Sequence, residues 1–595
     1  MAAMQEENYK YERRTHNCNE IRENMIEKQV VINGWVQRTR DHGSLLFVDI
    51  RDRSGIVQTV FDKSDNEELF AEAELLGSED VVAISGKVRK RPEENFNEEL
   101  ATGKIEIAVN NMQVISSSKT PPFLIENASK TKEDTRLQYR YLDLRRPRML
   151  NILEKKHLVM QKTRNFLTQN GYWEIETPVL TKSTPEGARD YLVPSRLHKG
   201  NFYALPQSPQ LFKQLLMAGG IEKYFQLAKC FRDEDLRANR QPEFTQIDIE
   251  TSFIEVESFL KQMEEMIAQI FTLADIPVPE KFPRITYQEA MERYGSDSPD
   301  TRFGMEINDL SDIFADSDFN LFSSIISEGG SVRGIKLEGG ADLTRSQIDR
   351  YEEFVKERGA AGLIWFAFTE EVNSPVAKFL AEKEISELRD KMEVKKGDIV
   401  FVVAGEFATT VSCLGDLRKK IAEEHDLIPD NSYKFLWVVD FPLFTYNEEE
   451  DRLEAEHHPF AAPVPGDEEL LYEAPEKAKA NAYDMVINGE EVGGGSVRIC
   501  DPEIQKKVFS LLNFSSEEIE EKFGFMIDAL TYGTPPHGGI AFGLDRIIML
   551  LTGCDSIRDV IAFPKTQQAT SPLTGAPGKV KEEQLNELSL NIEDE

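Results

Sequence analysis

Cysteine is scarce in this sequence, and the spacing of the few cysteines excludes two kinds of stabilising site. Five cysteines are scattered over 595 residues, without the paired spacing of a zinc site or the density of a disulfide framework. Scattered thiols are typical of a reducing compartment, so we expect a cytoplasmic protein. The sequence also lacks a basic and apolar leader, and Asp545 and Arg546 interrupt its most apolar late segment. We therefore expect neither export nor a membrane span.

Basic residues are fewer than acidic ones, which gives the chain a formal net charge of -35. A strongly acidic chain argues against a nucleic-acid partner when only the total charge is considered. Cations nevertheless cluster locally within the first hundred residues, at Arg38, Arg40, Arg51, Arg53 and Lys87 to Arg91. Such clusters are usually solvated surface, but their concentration in one small region keeps an RNA-binding site open.

Residues 28 to 115 have the pattern of a small β-barrel. A chain of this length exceeds one hydrophobic core, so three or four domains are expected. Five short apolar runs separated by turns favour an oligonucleotide-binding fold; they are Val30 to Trp35, Leu45 to Ile50, Ile56 to Phe61, Val81 to Val88 and Ile105 to Val114.

The second run places one aromatic ring on the outer face of the predicted barrel. Leu46, Val48 and Ile50 share one parity and are expected in the core, which leaves Phe47 on the opposite face beside Arg51. An outward ring among arginines is either a platform for stacking a base or an ordinary packed aromatic. Parity alone does not decide between the two.

Two stretches far apart in the chain each place an arginine where a phosphate could bind. In the first, 230 to 235, Arg232 and Glu234 alternate on a predicted strand, and Phe244 returns to the same pocket after a polar loop. In the second, 538 to 546, small residues precede Arg546, which opens an apolar helix. Each stretch alone would be read as a surface helix or a glycine-rich turn.

Together the two stretches resemble motifs 2 and 3 of class II aminoacyl-tRNA synthetases, and residues 231 to 248 are close to the bacterial aspartyl form. A predicted helix at Leu153 to Asn170 and a strand from Trp173 to Thr177 before Pro178 resemble motif 1, which builds the dimer interface in that family. The resemblance implies ATP-dependent activation of L-aspartate, its transfer to tRNA(Asp), and a homodimer.

The same resemblance gives the domain organisation of a multidomain α+β protein. We expect an OB-fold anticodon-binding barrel at 1–115, a linker at 116–140, and a class II antiparallel-sheet catalytic domain at 141–283 and 432–566. An inserted α+β domain of the bacterial type is expected at 284–431, because apolar strands and charged helices alternate there without the ATP motifs. A polar tail follows at 567–595.

Activation of an amino acid requires positioning and charge stabilisation rather than a protein nucleophile. The resemblance makes Arg232, Glu234 and Arg546 the catalytic residues, with Arg232 on the α-phosphate, Arg546 nearer the γ-phosphate, and Phe244 stacked on adenine. The full set of residues implied to bind ATP is Arg232, Asp233, Glu234, Gln241, Phe244, Glu491, Gly543, Leu544, Asp545 and Arg546.

A predicted hairpin supplies two acids for Mg²⁺. Asn488-Gly489 is a turn signal, and counting outward pairs Val486 with Glu491 and Met485 with Val492, so that Asp484 and Glu491 share a face. Two converging carboxylates suit magnesium, although without the motifs they would be read as exposed hairpin acids.

The aspartate site follows from the resemblance. It implies that Arg498 and Lys213 grip the side-chain carboxylate of the substrate and that Asp248 binds its ammonium. Arg498 would fall on the opposite parity from Glu491 on a straight strand, so a bulge is expected among the glycines 493 to 495. The other residues implied at this site are Glu186 on a closing loop, Ser208, Gln210, Arg232 and His457.

For the RNA, the resemblance makes Phe47 the ring that stacks on the anticodon, with Gln58 and Glu106 as readers of base edges. His42 lies in a loop where a histidine favours the relaxed form of the family, which also charges tRNA(Asn). Two alternatives remain: an asparaginyl enzyme, which lacks the bacterial-type insertion, and a non-catalytic RNA-binding relative.

Overall fold

The structure is a computed structural model that describes residues 11–184, 187–236, 239–447 and 450–593. The chain divides into two compact units. One unit covers the chain up to Glu154 together with Ala562–Thr566 and Thr570–Gly578, and the other covers Lys155–Ile561, Gln567–Ala569 and the segment from Lys579 onward.

The first unit contains the predicted barrel. Its strands are β1 (Gln29–Asp41), β2 (Leu45–Arg51), β3 (Ile56–Asp62), β4 (Val81–Lys90) and β5 (Ile105–Ser116), with α1 (Glu67–Glu74) between β3 and β4. They close in the order β1-β2-β3-β5-β4. Leu46, Val48 and Ile50 are buried inside while Phe47 is half-buried on the other face, so the predicted alternation is confirmed.

Three helices follow the barrel: α2 (Glu133–Gln138), α3 (Arg140–Asp143) and α4 (Pro147–Gln169). Helix α4 begins six residues before the predicted Leu153 and ends one residue before the predicted Asn170, and Gly171 has the positive φ of +84° that suits the end of a helix. The strand predicted from Trp173 to Thr177 is shorter than expected. It comprises only β6 (Trp173–Glu174), which pairs in parallel with its neighbour in the main sheet.

The second unit is built on an eight-stranded sheet. Besides β6, two short strands form a separate hairpin, β7 (Leu192–Pro194) and β8 (Phe202–Ala204). The first half of the main sheet then adds α5 (Gln210–Ala218), β9 (Lys223–Phe231), β10 (Glu243–Ser252), α6 (Val256–Phe271) and β11 (Arg284–Thr286).

A second sheet lies within the segment 284–431. After α7 (Tyr287–Tyr294), its strands are β12 (Asn308–Asp309), β13 (Ser331–Leu337), β14 (Ile364–Phe368), β15 (Val372–Asn373) and β16 (Ile399–Gly405). The helices α8 (Ser311–Phe314), α9 (Asn320–Ser327), α10 (Arg345–Lys356), α11 (Glu382–Lys391) and α12 (Phe407–Glu424) accompany them. The first residues of this segment, β11, pair with the main sheet instead.

The chain then returns to the main sheet. It adds β17 (Phe435–Val439), the small hairpin β18 (Phe444–Asn447) and β19 (Arg452–Ala455), α13 (Leu470–Glu473), β20 (Ala482–Ile487), β21 (Glu490–Val497), α14 (Pro502–Leu511), α15 (Ser516–Thr531), β22 (His537–Gly543), α16 (Leu544–Thr552), α17 (Ile557–Val560) and α18 (Glu582–Leu588). The strand order is β11-β17-β20-β21-β22-β10-β9-β6, antiparallel except for the pair at each edge. Among the residues that the structure describes, no helix is long and apolar enough to cross a membrane.

The hairpin β20–β21 differs from the prediction in one place. Val486 pairs with Glu491 as expected, but Met485 pairs with Gly493 rather than Val492. The irregularity therefore lies at Val492, one residue before the glycines where it was predicted. A bulge there shifts the parity of everything beyond it.

Candidate active site

The two acids of the hairpin converge on one glycine. Asp484 pairs with Gly494, and a Cβ at Gly494 would lie 2.8 Å from Asp484 Oδ1 and 3.4 Å from Glu491 Oε1. A side chain at position 494 would therefore displace the Asp484 carboxylate. Burial raises the pKa of Asp484 well above its usual value, and the charges of Glu491, Asp297 and Glu456 raise it further.

These acids fit a divalent cation that keeps part of its water shell. Asp484 is 7% exposed, and its Oδ1 has no hydrogen-bond partner among the described atoms. A buried carboxylate oxygen without a donor is costly unless a cation or a ligand satisfies it. The described residues contain no group of three or more acidic, histidine or cysteine ligands, and two carboxylates are the number that Mg²⁺ commonly takes from a protein alongside phosphate oxygens.

Arg232 and Phe244 line one cavity at the junction of β9 and β10. Arg232 directly follows β9, and its guanidinium lies 5.1 Å from the centre of the Phe244 ring. This differs from the predicted strand position, because β9 ends at Phe231 and Glu234 lies in a bend with its Oε2 3.3 Å from Arg240 Nη1. The ring and the guanidinium nevertheless face one cavity, as predicted.

The glycine-rich stretch brings Arg546 to the same cavity. Strand β22 ends at Gly543, and Arg546 lies in the first turn of α16. Its Nη1 donates a 2.6 Å hydrogen bond to the backbone oxygen of Glu491 and lies 3.6 Å from the carboxylate. Glu491 and both arginines therefore line one space, which Glu234, Gln241, Gly543 and Asp545 also line.

Three of the residues implied to bind ATP have other contacts. Leu544 is fully buried, and the backbone of Asp233 pairs with that of Arg189. Asp545 accepts hydrogen bonds from Lys156 Nζ at 2.5 Å and from the Thr245 amide at 3.1 Å. These contacts fix the strand-to-helix junction, so Leu544 and Asp545 support the position of Arg546.

A second cavity adjoins the first. Its wall includes the predicted Ser208, Gln210, Lys213 and His457, together with His458, Gly494 and Gly495. Arg232, Gln246, Glu491 and Ala541 line both cavities. The two are therefore neighbouring parts of one site. The predicted Glu186 lies outside the described residues.

A buried cluster of charges lies beside the second cavity, and its member Lys213 lines the cavity wall. Arg498 Nε and Nη2 donate to the two carboxylate oxygens of Glu250 at 2.9 and 3.1 Å. Lys213 Nζ lies 2.6 Å from Asp248 Oδ1 and 3.4 Å from Glu250 Oε2. All four side chains are at most 2% exposed. Two cations are thus held at full burial by two acids.

Arg498 and Glu250 each favour the charged form of the other. Burial opposes ionisation of Arg498, but Glu250 outweighs it and raises the pKa of the guanidinium. Burial likewise opposes ionisation of Glu250, and Arg498 with Lys213 lowers the pKa of that carboxyl. For Asp248 burial dominates and raises the pKa although Lys213 opposes it. Asp248 is a close partner of Lys213, and its contact with the ammonium of the substrate stays a prediction.

The structure adds two residues that sequence reasoning missed. Glu250 lies two positions after Asp248 on β10, and strand alternation could have identified it as facing the same side. His458 Nε2 accepts a 2.5 Å hydrogen bond from Arg498 Nη1. Burial lowers the pKa of His458 well below its usual value, while the pKa of His457 falls to about 4 for the same reason. Both rings line the cavity as neutral imidazoles, and only His457 was predicted there.

On the barrel, the predicted RNA-binding residues share one face. The His42 ring meets the Phe47 ring edge-on at 5.4 Å. Gln58 Nε2 donates to Glu106 at 2.8 Å, and Arg40 Nη2 donates to Gln58 at 3.0 Å. Gln58 and Glu106 are 7% and 3% exposed, so they are held in a polar network whereas Phe47 and His42 are accessible.

Comparisons with known proteins agree with this arrangement. Residues 132–567 match the family of class II tRNA synthetases (D, K and N), and residues 30–115 match the OB-fold nucleic acid binding domain. The chain belongs to the class II tRNA synthetases of the D, K and N group. It is therefore an ATP-using ligase with a barrel of the anticodon-binding type.

Within this family, the chain is similar over nearly its whole length to aspartate–tRNA ligases. The chain is 56% identical to the aspartate–tRNA(Asp/Asn) ligase of Halothermothrix orenii, over 98% of this chain and 99% of that protein. It is 51% identical to the aspartate–tRNA ligase of Clostridium novyi, over 98% of each chain.

Solved structures share the fold at lower identity. A putative aspartyl-tRNA synthetase from Leishmania major has a TM-score of 0.59 at 21% identity, over 96% of this chain and 97% of that one. The asparaginyl-tRNA synthetase from Pyrococcus horikoshii has a TM-score of 0.58 at 21% identity, over 93% and 98% of the two chains.

Proposed function

We propose that this protein is an aspartate–tRNA ligase, which activates L-aspartate with ATP and transfers it to the 3′ end of tRNA(Asp). The observation that carries the proposal is a pair of buried cations, of which Lys213 lines a cavity that adjoins the arginine-lined one and Arg498 contacts His458 in the wall of that cavity. A small molecule with a side-chain carboxylate would place its own α-carboxylate toward the shared wall at Arg232.

Activation is an in-line attack of the α-carboxylate on the α-phosphorus of ATP. Arg232 neutralises charge at the α-phosphate, Arg546 lies nearer the γ-phosphate, and Phe244 stacks on adenine. The chain needs no nucleophile of its own, because positioning and fixed charge supply the rate. Asp484 and Glu491 would hold Mg²⁺, which supplies charge neutralisation on the phosphates when it is bound.

Specificity against asparagine rests on the buried charges. A carboxylate would be attracted by the charges of Lys213 and Arg498, whereas an amide provides no charge and brings a donor toward the two cations. A site built for a charged group discriminates by roughly a thousandfold or more against its neutral analogue.

The barrel would bind the anticodon loop. Phe47 is the stacking ring beside His42, and Gln58 with Glu106 would read base edges only by exchanging their present hydrogen bonds. The histidine at 42 favours the relaxed form, which also charges tRNA(Asn), and the relative from Halothermothrix orenii is an aspartate–tRNA(Asp/Asn) ligase. The scattered thiols support a cytoplasmic location, and the resemblance at motif 1 supports a homodimer. The domain boundaries that we propose are those given by the resemblance to the family.

The test is ATP–pyrophosphate exchange with each of the twenty amino acids, followed by charging of both tRNA transcripts. We expect exchange with aspartate alone. Charging of tRNA(Asp) only would identify the strict form, and charging of both would identify the relaxed form. Exchange with asparagine would transfer the assignment to an asparaginyl enzyme, and no exchange with any amino acid would favour a non-catalytic RNA-binding relative.

A further inference from the structure

The tip of the β20–β21 hairpin, which carries the two acids, lies against the segment 284–431. The tip is Asn488-Gly489, with φ of +56° and +80°. Glu491 follows the tip by two residues, and Asp484 precedes it by four. Because Glu491 lies only two residues beyond the turn, a displacement of the tip would also displace Glu491.

One contact to the tip comes from the loop of residues 295–304, between α7 and β12. A Cβ at Gly489 would lie 2.9 Å from the Cβ of Asp300 and 3.4 Å from its Cα and N. The turn therefore packs on the backbone of Asp300, with no room for a side chain between them. Asp300 is itself 6% exposed and forms an ion pair with Arg302 at 2.5 Å.

Arg418, from α12 of the same segment, fixes this loop. Its Nη2 donates to the backbone oxygens of Asp300 and Phe303 at 2.8 and 2.9 Å, and its Nε donates to that of Gly304 at 3.1 Å. Its guanidinium also lies 4.1 Å from the centre of the Phe303 ring. Because Arg418 is 2% exposed, these contacts hold the loop in one conformation.

The other contact comes from residues 432–434, where the segment ends. The Lys434 amide donates to Asn488 Oδ1 at 2.8 Å, and Asn488 Nδ2 donates to the Ser432 oxygen at 3.0 Å. The neighbouring Tyr433 hydroxyl donates to the Leu550 oxygen of α16, the helix that carries Arg546. A loop of the segment and the residues that directly follow it thus both touch the hairpin that bears the acids.

We propose that the segment 284–431 positions the acids Asp484 and Glu491, and that Arg418 is a positioning residue for the cation that they hold. The proposal rests on the proposed function of the two acids. It gives the insertion a role in activation, at the ATP end of the site, in addition to any contact that it makes with RNA.

The first test displaces the tip. Gly489→Ala puts a Cβ against Asp300, and the matched control is Gly533→Ala, because Gly533 has a φ of +83° with nothing within 4 Å of its Cβ position. The two changes share the backbone strain, and only the first disturbs the contact. The measurement is Mn²⁺ binding by electron paramagnetic resonance, with an ATP analogue that has a methylene between its α- and β-phosphorus atoms.

We expect the Kd for Mn²⁺ to rise about tenfold in Gly489→Ala, as for other changes that misplace a metal ligand indirectly, and the Mg²⁺ concentration for half-maximal exchange to rise with it. The control should match the unaltered protein. The KM for aspartate should change less than twofold, since Arg498 and Lys213 do not depend on the tip. Unchanged Mn²⁺ binding in Gly489→Ala would overturn the proposal.

Arg418→Lys provides a second, independent variant, because it keeps the charge but loses the forked hydrogen bonds. We expect the same direction of change. Asp484→Asn and Glu491→Gln separate this inference from the function on which it rests. If neither alters Mn²⁺ binding, the acids do not hold the cation and the proposed function of the pair fails. If they do and Gly489→Ala does not, only the positioning role fails.

Discussion

The two ends of the active site hold their charges in different ways. At the amino-acid end, the side chains of Arg498 and Lys213 are each 2% exposed and already paired with Glu250 and Asp248. At the phosphate end, the side chain of Arg546 is 27% exposed, and its guanidinium lies 3.6 Å from the Glu491 carboxylate. One end is pre-organised and dry, whereas the other is open to water.

The difference corresponds to two chemical tasks. A buried ion pair costs desolvation free energy that its attraction only partly offsets, so it is poor evidence for stability. Its use is geometric, because Glu250, His458 and Ser496 together hold the guanidinium of Arg498 in one orientation. The phosphate end must release pyrophosphate after each reaction, and solvated charges bind less tightly and exchange faster.

Removal of the cation at the buried end should have the largest effect. Arg498→Met leaves Glu250 buried beside Lys213 alone, and it removes a cation that we propose binds the substrate carboxylate. We expect kcat/KM for aspartate in pyrophosphate exchange to fall by roughly a thousandfold or more. The KM for ATP should stay within about threefold, because the ATP residues are elsewhere.

Arg498→Lys is the matched control, since it keeps the charge but not the fork, and it should retain more activity than Arg498→Met. Equal increases in the KM values for aspartate and ATP would contradict the separation of the two ends. A circular dichroism melt identifies any variant that fails to fold.

Arg546→Ala should show the opposite pattern at the open end. We expect kcat for exchange to fall by about a hundredfold, the cost of removing one donor that stabilises charge in the transition state. Because the side chain is partly exposed, the stability of the protein should change little. Affinity for tRNA, measured by filter binding, should be retained. Exchange at the unaltered rate would remove Arg546 from the mechanism.

Features that follow local rules could be predicted from the sequence. Strand alternation identified the barrel core and the outward Phe47, and the turn signal at Asn488-Gly489 paired Val486 with Glu491. Both are local rules, and both are confirmed. The roles of the site residues stay predictions, although most of them line the two adjoining cavities.

Contacts between distant residues were less predictable. The bulge at Val492 depends on how β21 pairs on both sides, and no local pattern marks one residue of a glycine-rich strand over the next. The pairing of Arg498 with Glu250 joins residues 248 positions apart. The proximity of Asp248 to Lys213 depends on how α5 packs against β10, so no local pattern could predict it.

Phe47→Ala tests whether the barrel acts in tRNA charging without affecting the activation of aspartate. Phe47 is in the barrel, so exchange with aspartate should be unchanged. Loss of a stacked base costs about 1 to 3 kcal/mol, so kcat/KM for charging tRNA(Asp) should fall roughly tenfold or somewhat more. Phe47→Trp retains a flat ring and should restore most of the charging. A parallel loss of exchange and charging would instead mean that Phe47 has a structural role.

The burial of the amino-acid end should also make it sensitive to acid. His458 is half-buried beside Arg498, and its pKa lies well below the ordinary value of 6.5, so the unfolded chain binds a proton that the folded protein excludes. Stability is therefore complete above pH 6.5 and decreases as the pH falls below it. We expect the Tm to fall between pH 7 and pH 5 more steeply in the unaltered protein than in His458→Gln, which can accept the hydrogen bond from Arg498 without titrating.

The exposed His198 provides the control, because His198→Gln should leave the slope unchanged. Equal slopes in all three proteins would mean that His458 takes up its proton without cost in the folded state, and that this end of the site is wetter than its burial indicates.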